Sequence, residues 1–113
     1  GAQIGTTGYF TIKKTKGLKA KSYDEIGLAM EDLFNGRLQG VVCDDPVAAQ
    51  YALQKAEYAA RLKIAAVLET GDEFYGIAVK KGNKDLLDLL NKGIKAVQEK
   101  GIDKTIRARW LSR

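Results

Sequence analysis

Short apolar runs alternate with amphipathic segments along the whole chain, and this alternation constrains the fold more than any other feature of the sequence. The apolar runs read GAQI, LKAKSY, RLQGVVC, LKIAAVLE and FYGIAVKK. Between them, apolar residues recur at three- and four-residue spacing, which is typical of helices with one buried face. Strands that alternate with helices favour an α/β fold with a mostly parallel sheet. We therefore predict a three-layer α/β architecture in which helices flank such a sheet.

The pattern also predicts where the helices of the first half begin and end. Ser22 and Glu25 have the spacing of a capping box, and Gly36 follows the helix as a left-handed terminator. Asp45 is predicted to cap the next helix, with Pro46 at its first position. The predicted apolar faces of these two helices consist of Ile26, Ala29, Met30, Leu33 and Phe34, and of Val47, Ala48, Tyr51 and Ala52.

Three further helices are predicted from the same signals. A short helix begins at Thr6 or Thr7, and a long one begins at Asn83 or Asp85 and ends at Gly101. Asp103 opens a last short helix that carries Ile106 and Trp110.

Composition narrows the classes of function. The 113 residues fit one domain, with 45% apolar and 29% charged residues, as in a folded globular protein. No apolar run approaches the roughly 20 residues of a membrane span, and no export leader is recognisable. The absence of histidine removes imidazole catalysis, and the single Cys43 is expected to be a buried side chain rather than a reactive thiol. The lysines behind the net charge of +5 are spread over three stretches, TIKKTKGLKAK, VKKGNK and NKGIKAVQEKGIDK, without a base-reading motif, so we expect no nucleic-acid partner.

Two predicted strand-to-helix junctions carry polar residues. In GTTG, Gly5 and Gly8 allow close approach to the backbone, while Thr6, Thr7 and the helix N-terminus offer hydroxyl and amide donors. This combination suits a carboxylate or phosphate, although the loop lacks the lysine of a phosphate-binding loop. The alternative is a capped helix with a tight turn and no ligand.

The second junction, CDDP, carries two acids. If Asp45 caps the helix, Asp44 remains at the end of the strand and suits an ammonium group. Ligands of parallel sheets gather beyond the carboxyl ends of the strands, where both junctions are expected. An anion site beside a cation site would match a zwitterion, that is, an amino acid. The alternative is that Asp44 is a solvated turn residue. Neither a phosphorelay receiver site nor a metal site can be assembled from these acids.

Four blocks of the sequence resemble a known family in order and spacing. The blocks are GAQIGTTG, NGRLQGVVCDDPVAAQYAL, FYGIAVKKGN and LLDLLNKGIKAVQEKGIDKTIRARWL. They are similar to the amino-acid-binding proteins of ABC importers, in the type II periplasmic-binding-protein superfamily. The resemblance covers this chain but only the second half of such a protein.

The resemblance implies an organisation and a location. Residues 1–73 would form a flavodoxin-like second ligand-binding lobe, 74–82 the returning hinge strand, and 83–113 the C-terminal helices that normally pack on the first lobe. The implied function is binding of a polar amino acid between two lobes, outside the cytoplasm, for delivery to an ABC permease. Contact with the membrane would then be only indirect.

The resemblance also implies roles for individual residues. Thr7, with the backbone around Gly5, Thr6 and Gly8, would contact the ligand carboxylate, and Asp44 its α-ammonium group. Gln3 would lie near the selectivity pocket and Tyr75 at the hinge. The first lobe, which would supply an arginine and aromatic residues, is missing from this chain, so we expect weak amino-acid binding by the chain alone.

Alternatives remain at this point. A sensing domain of a membrane receptor or kinase would share the ligand chemistry, and a dehydratase-type enzyme would share the fold. We expect no enzyme, cofactor or metal, because no general acid or base has supporting residues around it. Exposed tail residues would favour self-association or swapping of the tail, unless the tail folds back on the lobe; these residues are Leu86, Leu90, Ile94 and Trp110.

Overall fold

The computed structural model describes residues 1–69, 71 and 73–111. It divides them into two compact units, residues 1–66 and residues 67–111. None of the helices in these ranges combines the length and apolar character that a membrane span requires.

The first unit is built on a small parallel sheet. Strand β1 (Ala2–Gln3) pairs with β2 (Ser22–Tyr23), with Ala2 opposite Ser22 and Gln3 opposite Tyr23. On the other side of β1, the Gly1 nitrogen donates to the Gly40 carbonyl at 2.8 Å, and the Val42 amide donates to the Gly1 carbonyl at 3.0 Å. These two bonds have the pattern of a parallel ladder, so residues 40–42 run beside β1 in the same direction.

Helices cover this sheet. Helix α1 (Thr7–Lys14) follows β1, and α2 (Ile26–Phe34) follows β2. Then come α3 (Asp45–Ala49), a π-helical segment (Gln50–Gln54) and the short α4 (Ala56–Ala59). The fully buried residues come from β1 and three of these helices: Ala2, Ile12, Ala29, Met30 and Ala49. They are mostly small, so the backbones of the sheet and helices approach closely.

The end of α2 agrees with its prediction, but its start does not. Gly36 has φ +74°, and the amides of Gly36 and Arg37 donate to the carbonyls of Leu33 and Asp32, as in a Schellman motif. The predicted capping box is wrong: Ser22 lies in β2, and Glu25 is the N-cap residue without a side-chain hydrogen bond. The backbone of Ser22 is committed to the sheet, so its hydroxyl does not reach the helix.

A carboxylate ties β2 to the end of α2. Asp32 accepts hydrogen bonds from the Tyr23 hydroxyl at 2.7 Å, Lys21 Nζ at 3.0 Å and Arg37 Nη1 at 2.9 Å. These donors, with the Tyr23 hydroxyl first, hold the pKa of Asp32 well below its usual range. The network therefore joins β2 and the residue before it to the last turn of α2.

The second unit contains two helices. Helix α5 (Lys84–Glu99) has Asn83 as its N-cap, whose side chain accepts a bond from the Leu86 amide at 3.2 Å, as predicted. Gly101, with φ +66°, separates it from α6 (Ile102–Leu111). Much of the apolar surface of this pair is exposed, including Leu89 at 66% and Trp110 at 51%.

Two of the five predicted strands are absent and the other three are reduced, with GAQI and LKAKSY shortened to Ala2–Gln3 and Ser22–Tyr23. Residues 62–69 and 74–81 form no strand, and of RLQGVVC only residues 40–42 approach β1. A strand is stable when a neighbouring strand forms hydrogen bonds with its backbone and when other residues cover its apolar side chains. In residues 74–81 the side chains stay exposed, with Phe74 at 88% and Ile77 at 63%. The fold therefore contains both helices and strands, with many helices and a small parallel sheet. The three-layer arrangement and the division into 1–73, 74–82 and 83–113 stay predictions. Self-association also stays a prediction.

Candidate functional site

The first junction, between β1 and α1, is shaped by Thr6. Its hydroxyl donates to the Gln3 carbonyl at 2.7 Å and accepts from the Tyr9 amide at 3.2 Å. Thr6 is therefore the N-cap, and its hydroxyl is occupied within the loop. Gly5, with φ +76°, supplies the left-handed turn that leads into this cap.

The start of α1 leaves donors open. The amides of Thr7 and Gly8, the first two helical residues, have no acceptor within the described residues, as is usual at a helix N-terminus. Thr7 is exposed, and its hydroxyl likewise has no partner there. The first turn carries no acid to neutralise the positive end of the helix dipole. This loop end thus presents two amides and one hydroxyl to an anion.

The second junction lies directly against the first. A Cβ atom placed on Gly8 would be 3.0 Å from the Val42 carbonyl oxygen and 3.1 Å from Val42 Cγ1. Gly8 is thus needed for contact between α1 and the segment that leads to Asp44, a contact within the protein rather than with a ligand. The helices that follow β1 and residues 40–42 both begin at the same end of the sheet.

The start of α3 differs from the prediction by one residue. Asp44, not Asp45, is the N-cap residue, and its carbonyl accepts from the amides of Val47 and Ala48, both at 3.0 Å. Asp45 is the first helical residue and Pro46 the second. The Asp44 side chain makes no capping bond and is exposed, and it follows Val42, which contacts Gly8, by two residues.

Cys43 precedes these acids and is half-buried. Burial, with the nearby charges of Asp44 and Asp45, raises the pKa of its thiol to about 11. The thiol is therefore protonated at neutral pH, which agrees with the expectation of an unreactive side chain.

The remaining predicted site residues have different positions. Gln3 Nε2 donates to the Asp24 carbonyl at 3.1 Å, which fastens the first junction to the loop before α2. Tyr75 is 84% exposed and belongs to the second unit. The structure therefore places Gly8 against Val42, two residues before Asp44, within the first unit.

Sequence reasoning missed Val42, whose backbone sets the spacing between the two junctions. The sequence feature that could have indicated this contact is Gly8, the second residue of α1. Glycine has no conformational advantage at that position, so its presence there indicates close packing. It also missed a cluster of three rings. Phe34 and Tyr51 each lie against Tyr58, at centroid distances of 5.1 and 5.2 Å, and join α2 to the segments after the second junction.

Comparison with known proteins supplies relatives for the whole chain. It is 31% identical over 116 residues to a protein of Neisseria gonorrhoeae named "Probable histidine-binding protein". It is also 31% identical over 116 residues to "ABC transporter arginine-binding protein 1" of Escherichia coli K12. The arginine-binding periplasmic protein of Mannheimia haemolytica is 32% identical over 114 residues.

The chain is a homologue of amino-acid-binding proteins of ABC transporters. The alignments cover 98–100% of this chain but only 42–47% of each relative, so it spans less than half of their length. These homologues are binding proteins rather than enzymes. No family model and no solved structure matches the chain.

Proposed function

We propose that this chain is part of an amino-acid receptor of an ABC importer, located in the periplasm or otherwise outside the cytoplasm, and that its two junctions hold opposite ends of the ligand. The Thr7 hydroxyl and the amides of Thr7 and Gly8 bind the α-carboxylate. The Asp44 carboxylate binds the α-ammonium group. The observation that supports this most directly is the contact of Gly8, at the start of α1, with Val42, which precedes the exposed Asp44 by two residues.

The chemistry of the two groups is complementary to a zwitterion. An uncompensated helix N-terminus stabilises negative charge through its dipole and its open amides. A carboxylate paired with an ammonium group gains both a charge–charge attraction and a hydrogen bond. Either group alone is common at protein surfaces, and the proposal requires the two to lie within the short separation between the two charges of an α-amino acid.

The other predicted site residues have supporting roles in this proposal. Gly5 gives the turn, and Thr6 holds the cap so that the amide donors keep their direction. Gln3 positions the loop and lies beside the side chain of the ligand, while Tyr75 belongs to the second unit and its role stays a prediction. Arginine and histidine are the first ligands to test, because the relatives are named for binding them. The permease of the importer is the proposed partner.

An amide-resolved NMR titration tests the site. On addition of L-arginine to roughly 20 mM, which partly fills a site whose dissociation constant is above about 1 mM, we expect shifts of the Thr7, Gly8 and Asp44 amide signals. Arginine amide, which lacks the carboxylate, should lose the shifts at Thr7 and Gly8. Agmatine, which lacks it as well, should behave in the same way.

Paired variants separate the site from general charge effects. Asp44→Asn should abolish the titration, whereas Asp24→Asn, which removes an exposed acid next to the start of α2, should leave it intact. Shifts confined to other regions, or equal shifts from arginine and agmatine, would contradict the proposed site.

A further inference from the structure

A second charged feature of the first unit lies away from the proposed site. Between the last turn of α1 and the start of β2, five of nine residues are lysine: Lys13, Lys14, Lys16, Lys19 and Lys21. No aspartate or glutamate occurs before Asp24. All five lysines are exposed. We call residues 13–21 the basic segment.

Local structure explains only part of this charge. Lys21 pairs with Asp32 at 3.0 Å, and Lys13 and Lys14 lie in the last turn of α1, where they stabilise the negative end of the helix dipole. Lys16 and Lys19 have neither role, and within the described residues the other four lysines form no ion pair. A solvated helix end therefore does not account for the density of charge.

Apolar side chains accompany the lysines. Leu18 is 58% exposed at the turn that Gly17 makes with φ +89°. Phe10 is 47% exposed and lies one helical turn before Lys14, on the same face. Lysines interspersed with exposed leucine and phenylalanine are typical of segments that lie on the surface of an anionic bilayer. Lysine is also a compact point charge that suits a diffuse anionic surface, whereas arginine suits bidentate recognition of single phosphates.

The basic segment and the proposed ligand site lie at opposite ends of the sheet. The site follows the carboxyl end of β1, whereas Lys19 and Lys21 precede the amino end of β2. Because the two strands are parallel, these ends point in opposite directions. If the basic segment lies against the surface of a binding partner, the proposed ligand site therefore stays accessible.

We propose that the basic segment docks on an anionic lipid surface, with Leu18 inserted at the level of the headgroups. This is a direct contact with the membrane, beyond the indirect one that the sequence suggests. The attraction of each lysine close to such a surface multiplies affinity by about fivefold and decays within a Debye length, about 8 Å at physiological salt. Binding is therefore steeply dependent on salt.

Vesicle co-sedimentation with the 113-residue chain tests this docking. We expect binding to vesicles of phosphatidylglycerol and phosphatidylcholine, little binding to phosphatidylcholine alone, and release at high salt. Lys16→Gln with Lys19→Gln should weaken binding by about 25-fold. The control, Lys92→Gln with Lys104→Gln on α5 and α6, removes the same charge and should weaken it much less. Leu18→Ser should weaken binding without reducing its salt dependence.

Three results would overturn the proposal. They are no binding of the unaltered chain to the anionic vesicles, equal losses in the two double variants, and tighter binding to duplex DNA or polyglutamate than to vesicles at the same salt concentration. Circular dichroism of each variant shows whether it is folded. The assay contains no amino acid, so its result is independent of the proposed receptor function.

Discussion

At the scale of single residues, the charged form of Asp32 depends on the folded structure. Three donors stabilise its charged form, and they lower its pKa from the ordinary value of 3.8. A group with a depressed folded-state pKa stabilises the protein above its unfolded pKa, and this stabilisation is lost as the pH falls through its folded one. Asp32 therefore stabilises the first unit at neutral pH and less so in acid.

We expect Asp32→Asn to lower the free energy of unfolding at neutral pH. The difference from the unaltered chain should shrink as the pH falls below 3.8, because Asp32 becomes protonated in the unfolded chain first. Urea unfolding at a series of pH values measures this. Glu31→Gln, one residue earlier on the same helix, serves as the control; an effect of Asp32→Asn that does not change with pH would contradict the assignment.

Single residues also show where sequence signals hold and where they fail. Gly36 and Asn83 were predicted correctly, because a left-handed glycine and an N-cap depend only on the few residues around them. Ser22 and Asp45 were placed wrongly. Each lies at a strand-to-helix junction, where pairing in the sheet decides the residue at which the helix begins. For the site, the sequence indicated Thr7 and Asp44 but not the contact between Gly8 and Val42, the residues that adjoin them in the two junctions.

At the scale of elements, the helices were predictable and most of the strands were not. A helix satisfies its own backbone, so caps and apolar spacing within about 15 residues determine it. A strand is satisfied only by a neighbour that is distant in sequence. Residues 74–81 have a strand-like composition, yet Tyr75 and Ile77 remain exposed. Their composition favours a buried strand, but no strand pairs with them in the described part of the chain.

Gly8 and Gly27 allow a matched test of how α1 packs, because each is the second residue of its helix. Alanine at either position gains the same helix propensity, up to about 1 kcal/mol. At Gly8 the new methyl group meets the backbone of Val42 at 3.0 Å, whereas at Gly27 it meets only the Tyr51 hydroxyl at 3.2 Å. A hydroxyl at the end of a side chain shifts more easily than a backbone carbonyl.

We therefore expect Gly8→Ala to destabilise the first unit by about 1–2 kcal/mol relative to Gly27→Ala. Urea unfolding followed by circular dichroism measures the difference. Gly8→Ala should also weaken the arginine-induced NMR shifts, since it separates the two junctions. Equal stability of the two variants would show that α1 and Val42 are not in close contact.

At the scale of the whole molecule, the chain spans less than half of its relatives, and this sets a limit on affinity. Thr7 and Asp44 are exposed, and a charge pair at an exposed surface contributes about 0–1 kcal/mol. A dissociation constant of 1 mM already requires about 4 kcal/mol. Two such contacts do not reach this value. The same contacts become much stronger where water is excluded, because the effective dielectric constant falls.

We expect isothermal titration of the 113-residue chain with L-arginine or L-histidine to show binding weaker than about 1 mM. If the proposed cleft forms in a chain extended to the full length of the relatives, so that the additional residues cover the ligand and exclude water from Asp44, that chain should bind at least about a hundredfold more tightly. Asp44→Asn in the longer chain should cost more affinity than any variant does in the short one, since a charge pair gains strength with burial. Micromolar binding by the short chain would mean that the rim of the first unit is a complete site, and that covering the ligand adds little to it.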